Sequence, residues 1–252
     1  MIHKTFTVEG TPDLEISIES GRIEILEGSP GVVDVTVDTK LPGFIVEQRG
    51  NSILVSSDKN ASWLSRGSAS VVIETPLGSD LQIRMASAPV TSNVALGKVE
   101  IKSASGDIDL NEVDVLTVKT ASGDLDVESV ARGLRFTSAS GDLRVADHAG
   151  GSVVVSTASG DVHIERADGT IDMTSASGDA YVQVFEGRTA YFKAMSGDVD
   201  LGIRERTSVE LDVSTLSGKV RLPEPDPERK PPERQMSVRA KLVSGDFTIH
   251  KA

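Results

Sequence analysis

Apolar residues along this chain recur in short alternating pairs rather than in helical stripes. Aligned on a recurring Ser-Gly-Asp, one set falls five and seven residues before the glycine: Val99 and Ile101, Leu116 and Val118, Leu134 and Phe136, Val153 and Val155, Ile171 and Met173, Leu211 and Val213. A second set falls two and four residues after it: Ile108 and Leu110, Leu125 and Val127, Leu143 and Val145, Val162 and Ile164, Val199 and Leu201, Val220 and Leu222. Period-two alternation marks a strand with one buried face. Each repeat therefore predicts two short strands meeting at a Ser-Gly-Asp corner, with a second corner farther along.

The glycines stand at 106, 123, 141, 160, 178, 197, 218 and 245, at spacings of 17, 18, 19, 18, 19, 21 and 27. Such a period suits one coil of a solenoid and is too short for a helical repeat or a propeller blade. One coil cannot bury two apolar rows by itself. Coils stacked about 4.8 Å apart bury them against neighbours and pair the backbone along the stack. The expected fold is all-β, a single-stranded β-solenoid (β-helix) of roughly 18-residue coils with an irregular N-terminal capping region. Glycine at the corner is read as a residue that takes positive φ without penalty. Two positions depart from the motif: Ala88-Pro89 stands where Gly-Asp is expected, and Lys219 replaces an aspartate.

The same frame appears in Leu14, Ile16 and Ile18, then Ser20-Gly21, then Ile23 and Ile25. Beyond it the pattern loosens into runs at Val33–Val37, Phe44–Val46 and Ile53–Val55. Residues 1–80 are accordingly read as irregular coils that cap the stack, with Trp63-Leu64 folding over its end. Residues 81–222 form the regular coils. Half of the chain's 10 prolines fall between 223 and 232, so 223–235 is read as an extended loop without strand pairing. Residues 236–252 form the last coil of one continuous domain.

Composition narrows the function. The chain of 252 residues has a net charge of −12 and 4% aromatics. Acid of that size repels phosphate backbones and anionic headgroups, which argues against nucleic acid as a partner. Without cysteine, disulfides, thiolate catalysis and Cys-ligated metals are excluded. No apolar run approaches the roughly 20 residues of a membrane span, and no signal peptide is evident, so no membrane insertion and a cytoplasmic location are expected. The alternative is the cell surface, reached by another route.

The sharpest chemical feature is a column of carboxylates: Asp107, Asp124, Asp142, Asp161, Asp179 and Asp198. In register they would lie about 5 Å apart and repel. One reading has each accept hydrogen bonds from corner amides. The other makes them a row of metal sites for Ca²⁺, which favours clustered oxygen ligands. The serines before each glycine, and Ser103, Thr120, Ser138, Thr157, Ser175 and Thr215 two residues earlier, share the inward parity and predict hydroxyl ladders. His3, His148, His163 and His250 are scattered, with no triad-like spacing. No other cofactor and no catalytic residue is assigned.

The tandem [Ser/Thr]-Ala-Ser-Gly-Asp coils, entered through Glu74-Thr75-Pro76-Leu77-Gly78-Ser79-Asp80-Leu81, resemble a bacterial domain family of unknown function labelled putative adhesin. The resemblance implies a single-stranded β-solenoid and no catalytic residues. The leading reading is a non-catalytic interaction or structural module that meets a protein or glycan surface, with the oligomeric state open. A Ca²⁺-binding repeat protein and, more remotely, a glycan-active β-helix enzyme are the alternatives.

Overall fold

The computed structural model describes residues 1–41, 43–57, 67–224 and 231–252. Among them the chain is all-β, with no helix, and so none that is long and apolar enough to cross a membrane. It divides into two compact units, Met1–Val127 and Glu128–Ala252. The Trp63-Leu64 expectation lies outside the described residues, as does the middle of the Pro-rich loop, 225–230.

The first unit contains β1 (Ile2–Thr7), β2 (Asp13–Glu27), β3 (Val32–Thr39), β4 (Ile45–Arg49), β5 (Ser52–Ser56), β6 (Ala69–Thr75), β7 (Asp80–Ser87), β8 (Val90–Ser92), β9 (Leu96–Lys102), β10 (Ile108–Lys119) and the start of β11 (Leu125–Ser138). Its centre is β2, a whole coil in one strand that bends at Gly21. The first half of β2 pairs in parallel with β5 on one side and β7 on the other, and its second half with β6 and β8. β9 then lies on β7, and β10 on β8 and β9, again in parallel. The strands expected at 33–37, 44–46 and 53–55 are β3, β4 and β5. β3 and β4 do not join the parallel rows, since β3 runs antiparallel to β1 and β6 and β4 antiparallel to β5, whereas β5 itself lies parallel to β2. Alternation specifies a buried face but not the direction of the neighbour.

The second unit holds the rest of β11, then β12 (Leu143–His148), β13 (Ser152–Ser159), β14 (Val162–Ala167), β15 (Thr170–Ser177), β16 (Ala180–Phe185), β17 (Thr189–Ser196), β18 (Val199–Ile203), β19 (Thr207–Ser217), β20 (Val220–Arg221), β21 (Arg234–Ser244) and β22 (Phe247–Lys251). Each coil gives one strand to each of two parallel rows. One row runs β11, β13, β15, β17; the other runs β12, β14, β16, β18. Equivalent residues face one another, as Leu134↔Val153 and Val153↔Ile171 do, and the predicted apolar pairs of these coils are buried. Phe192 and Phe247 meet inside with ring centroids 6.3 Å apart.

The last coils are not stacked in chain order. β21 lies between β17 and β19, and β22 between β18 and β20. The coil that ends the described chain is therefore flanked on both sides, and the preceding one, 207–222, lies outermost. That placement overturns the inward expectation for Val220 and Leu222. Both are exposed, and Leu211 and Val213 are only half-buried, because among the described residues no coil covers their far side.

The corners explain the coil spacing. A Cβ built on Gly106, Gly123, Gly160, Gly178 or Gly197 would lie 2.0–2.3 Å from the carbonyl oxygen of the corner residue in the coil beneath. Gly178 and Gly197 do have positive φ, at 138° and 131°. Gly106, Gly123 and Gly160 do not, so conformational freedom is not the common requirement. The shared reason at these five corners is space: a side chain there would strike the backbone of the coil beneath. Gly160→Ala, whose Cβ would sit 2.2 Å from the Gly141 oxygen, should cost at least about 2 kcal/mol in denaturant unfolding. Gly133→Ala, whose nearest atom is 3.9 Å away, should be close to neutral.

His148 occupies a core row whose other members are Ala167, Phe185 and Ile203. The ring is fully buried. Its Nδ1 lies 3.0 Å from the Asp168 carbonyl and its Nε2 has no partner. Burial pushes its pKa down, against the smaller upward pull of the Asp168 carbonyl and nearby carboxylates. The unfolded chain then binds the proton more readily, so stability falls as pH drops through the ordinary histidine range and levels off below the lowered native value. Thermal melts of wild type and His148→Leu between about pH 7.5 and pH 5.5 should show a smaller acid-induced loss in the variant.

Candidate functional site

The six aspartates singled out from the sequence lie at corners of both units. In the first unit Asp107 Oδ1 accepts the amide of Asp124 at 3.2 Å. In the second, Asp142 accepts from Asp161 (2.9 Å), Asp161 from Asp179 (2.8 Å), Asp179 from Asp198 (2.7 Å) and Asp198 from Asp246 (2.7 Å). Five of the six carboxylates, those of Asp107, Asp142, Asp161, Asp179 and Asp198, thus take the corner N–H of the neighbouring coil. Charge-assisted bonds of this kind offset the repulsion of stacked carboxylates.

The same rule accounts for both departures from the motif. Lys219 donates its amide to Asp246 at 2.7 Å, but its coil is outermost, so among the described residues no further amide awaits a carboxylate there. Pro89 has no N–H to give, and Arg22 beneath it has no side-chain oxygen to offer, although Pro89 equally gives the coil above it no carboxylate. The Lys219 amide, followed by the Arg221 guanidinium at 2.8 Å, holds the Asp246 carboxyl below its ordinary range.

Around Asp142, Asp161 and Asp179 a groove of about 290 Å³ also brings Arg144, His163 and Tyr181 to the surface. His163 and Tyr181 stack with centroids 4.9 Å apart, and Tyr181 and His250 at 6.4 Å. Among the described residues no cluster of three or more histidines and carboxylates is arranged to hold a metal ion. Asp161→Ala removes the acceptor for the Asp179 amide and should cost about 1 kcal/mol or more, whereas Asp161→Asn keeps an acceptor and should stay near wild type. Denaturant unfolding of both variants checks this.

The hydroxyls divide into two roles, which the parity argument did not separate. Ser103, Thr120 and Ser138 turn toward their own corners, accepting from the amides of Gly106, Gly123 and Gly141 at 3.0, 2.9 and 2.7 Å. The serine directly before each glycine is exposed, because the chain leaves strict alternation as it enters the corner. Thr157 and Ser175 are 8% and 4% exposed, and their hydroxyl oxygens have no hydrogen-bond partner.

Thr157 and Ser175 lie along a second groove of about 620 Å³, wholly within the second unit. Two residues before each corner glycine the chain has alanine at 139, 158 and 176, but Met195, Leu216 and Val243 in the last three coils. The stacking order β17, β21, β19 sets these three side by side, since Ser196 faces Ser244 and Ser244 faces Ser217. They are 63%, 83% and 48% exposed. Met195 and Val243 line the groove with Ala158 and Ala176, and Lys193 and Lys241 stand along it as register partners. No carboxylate lines the groove, and neither lysine pairs with an acid among the described residues. The sequence signal was the change from alanine to larger apolar residues, but only the stacking order makes it a surface. Histidines lie elsewhere: His148 in the core, His163 and His250 on the other strand row.

A family model described as Toastrack DUF4097 matches residues 12–250. No curated protein matches the chain. Among solved structures, the chain is similar to a putative adhesin from Parabacteroides distasonis, at 13% identity over 99% of this chain and 96% of that one, with a TM-score of 0.47. A putative adhesin from Bacteroides fragilis is 14% identical over 99% and 96%, with a TM-score of 0.42. A putative lipid binding protein from Parabacteroides distasonis is 12% identical over 97% and 96%, with a TM-score of 0.47.

Proposed function

The chain belongs to the Toastrack DUF4097 family, and we propose that it is a non-catalytic binding module, built of single-stranded β-solenoid coils, that holds an apolar ligand in the groove beside Met195 and Val243. The coil reading is supported by the two parallel strand rows of the second unit, to which each coil contributes once. The binding reading rests on one observation: a concave apolar surface of about 620 Å³ bearing exposed Met195 and Val243. Volumes of that size suit small-molecule ligands, and apolar patches left open on a soluble surface are commonly interaction sites. The lining offers contact area and two ammonium groups rather than a nucleophile held by a base, which supports binding over chemistry.

A neutral alkyl probe tests this directly. Dodecanol should bind the wild-type chain with a measurable heat and displace a groove-bound fluorescent dye. Met195→Glu, on an exposed position, should weaken that binding about tenfold while leaving the melting temperature within a few degrees of wild type. Equal binding by wild type and variant would overturn the groove reading.

A further inference from the structure

We infer that the ligand of this groove is a single-chain anionic amphiphile, a long-chain carboxylate whose head lies at Lys193 and Lys241 and whose tail runs along Met195, Ala176 and Ala158. This rests on the groove reading and adds the charge and shape of the occupant. Lys193 and Lys241 face each other across one coil step. Their backbones are about 5 Å apart, and two ammonium groups held at such a spacing would repel by about 1 kcal/mol even in water. Elsewhere on the outer surface of this unit cross-coil cations meet carboxylates: Arg166 pairs with Asp147 at 2.6 Å and Arg239 with Asp212 at 3.1 Å. At Lys193 and Lys241 no described carboxylate does so, although the chain as a whole carries −12. The local charge is therefore opposite to that of the molecule, which suits an anion at this point.

The path from Lys241 to Ala158 crosses the strands, following coils β21, β17, β15 and β13 over about 14 Å. An extended acidic peptide could lie there only by leaving most of its amides without protein partners, because the strands of the floor already pair with one another coil to coil. An alkyl chain makes no such demand. The groove of about 620 Å³ has the volume of a small-molecule site, whereas an anionic bilayer would face the net negative charge of the whole protein.

The test is calorimetry on the whole chain with laurate and dodecanol, below their aggregation thresholds, at low salt. Laurate should bind about tenfold more tightly than dodecanol, and added salt should erode the difference. In Lys193→Gln/Lys241→Gln the advantage of laurate over dodecanol should disappear, and the two should bind equally. Laurate binding no better than dodecanol in wild type, or an advantage that survives the double substitution, overturns the inference and leaves the groove reading standing. Absence of binding by either probe overturns both. An acidic, apolar hexapeptide that binds while laurate does not, or attachment to phosphatidylglycerol vesicles without laurate binding, also overturns it and assigns the groove to that partner.

Discussion

Everything in this architecture depends on how closely two coils can approach at a corner. Along the strands, ladder hydrogen bonds set the spacing without difficulty. At the corner the chain turns, and a side chain there would strike the carbonyl of the coil below, as the 2.0–2.3 Å Cβ distances show. Glycine removes the obstruction, and the aspartate after it supplies the acceptor that the turning backbone no longer provides. With that pair in place, the apolar pairs of the second unit fall into rows, and outward positions such as those of Lys193 and Lys241 come side by side. The carboxylate column is thus part of the scaffold that holds the outer rows in line.

Much of this was legible from residues alone. The alternation before and after each glycine placed the buried rows correctly except in the outermost coil, 207–222, and one of the two readings of the aspartates anticipated the corner amides. Stacking order was not legible. Because every coil presents the same register to its neighbours, the sequence of 207–222 is as compatible with a place between two coils as with a place at the end. Lys219 is consistent with the outermost place, but a corner without an acceptor does not mark it, because the Pro89 corner also lacks one and still carries the next coil. The parity argument also failed where the strand becomes a corner, since Ser105 and its equivalents follow the turn and not the pleat.

The groove shows how a repeat acquires a local property without breaking its frame. Alanine at 158 and 176 gives way to Met195 and Val243 at positions that do not touch the core, so the substitution has no bearing on stacking. Its effect comes only from adjacency across coils, which is also why a linear reading passed over it. Lys193 and Lys241, 48 residues apart in the chain, become neighbours by the same route.

The position of the coil 234–251 between two others has a mechanical side. In an ordinary solenoid a pull on the final coil peels it from an open edge, breaking its bonds one at a time. Here β21 is bonded to β17 and β19 along its length, and β22 to β18 throughout and to β20 at Phe247 and Thr248, so beyond the first residues of β22 tension meets two seams. Force along the strand must shear both seams rather than unzip either. The coil 234–251 thereby clamps two others together.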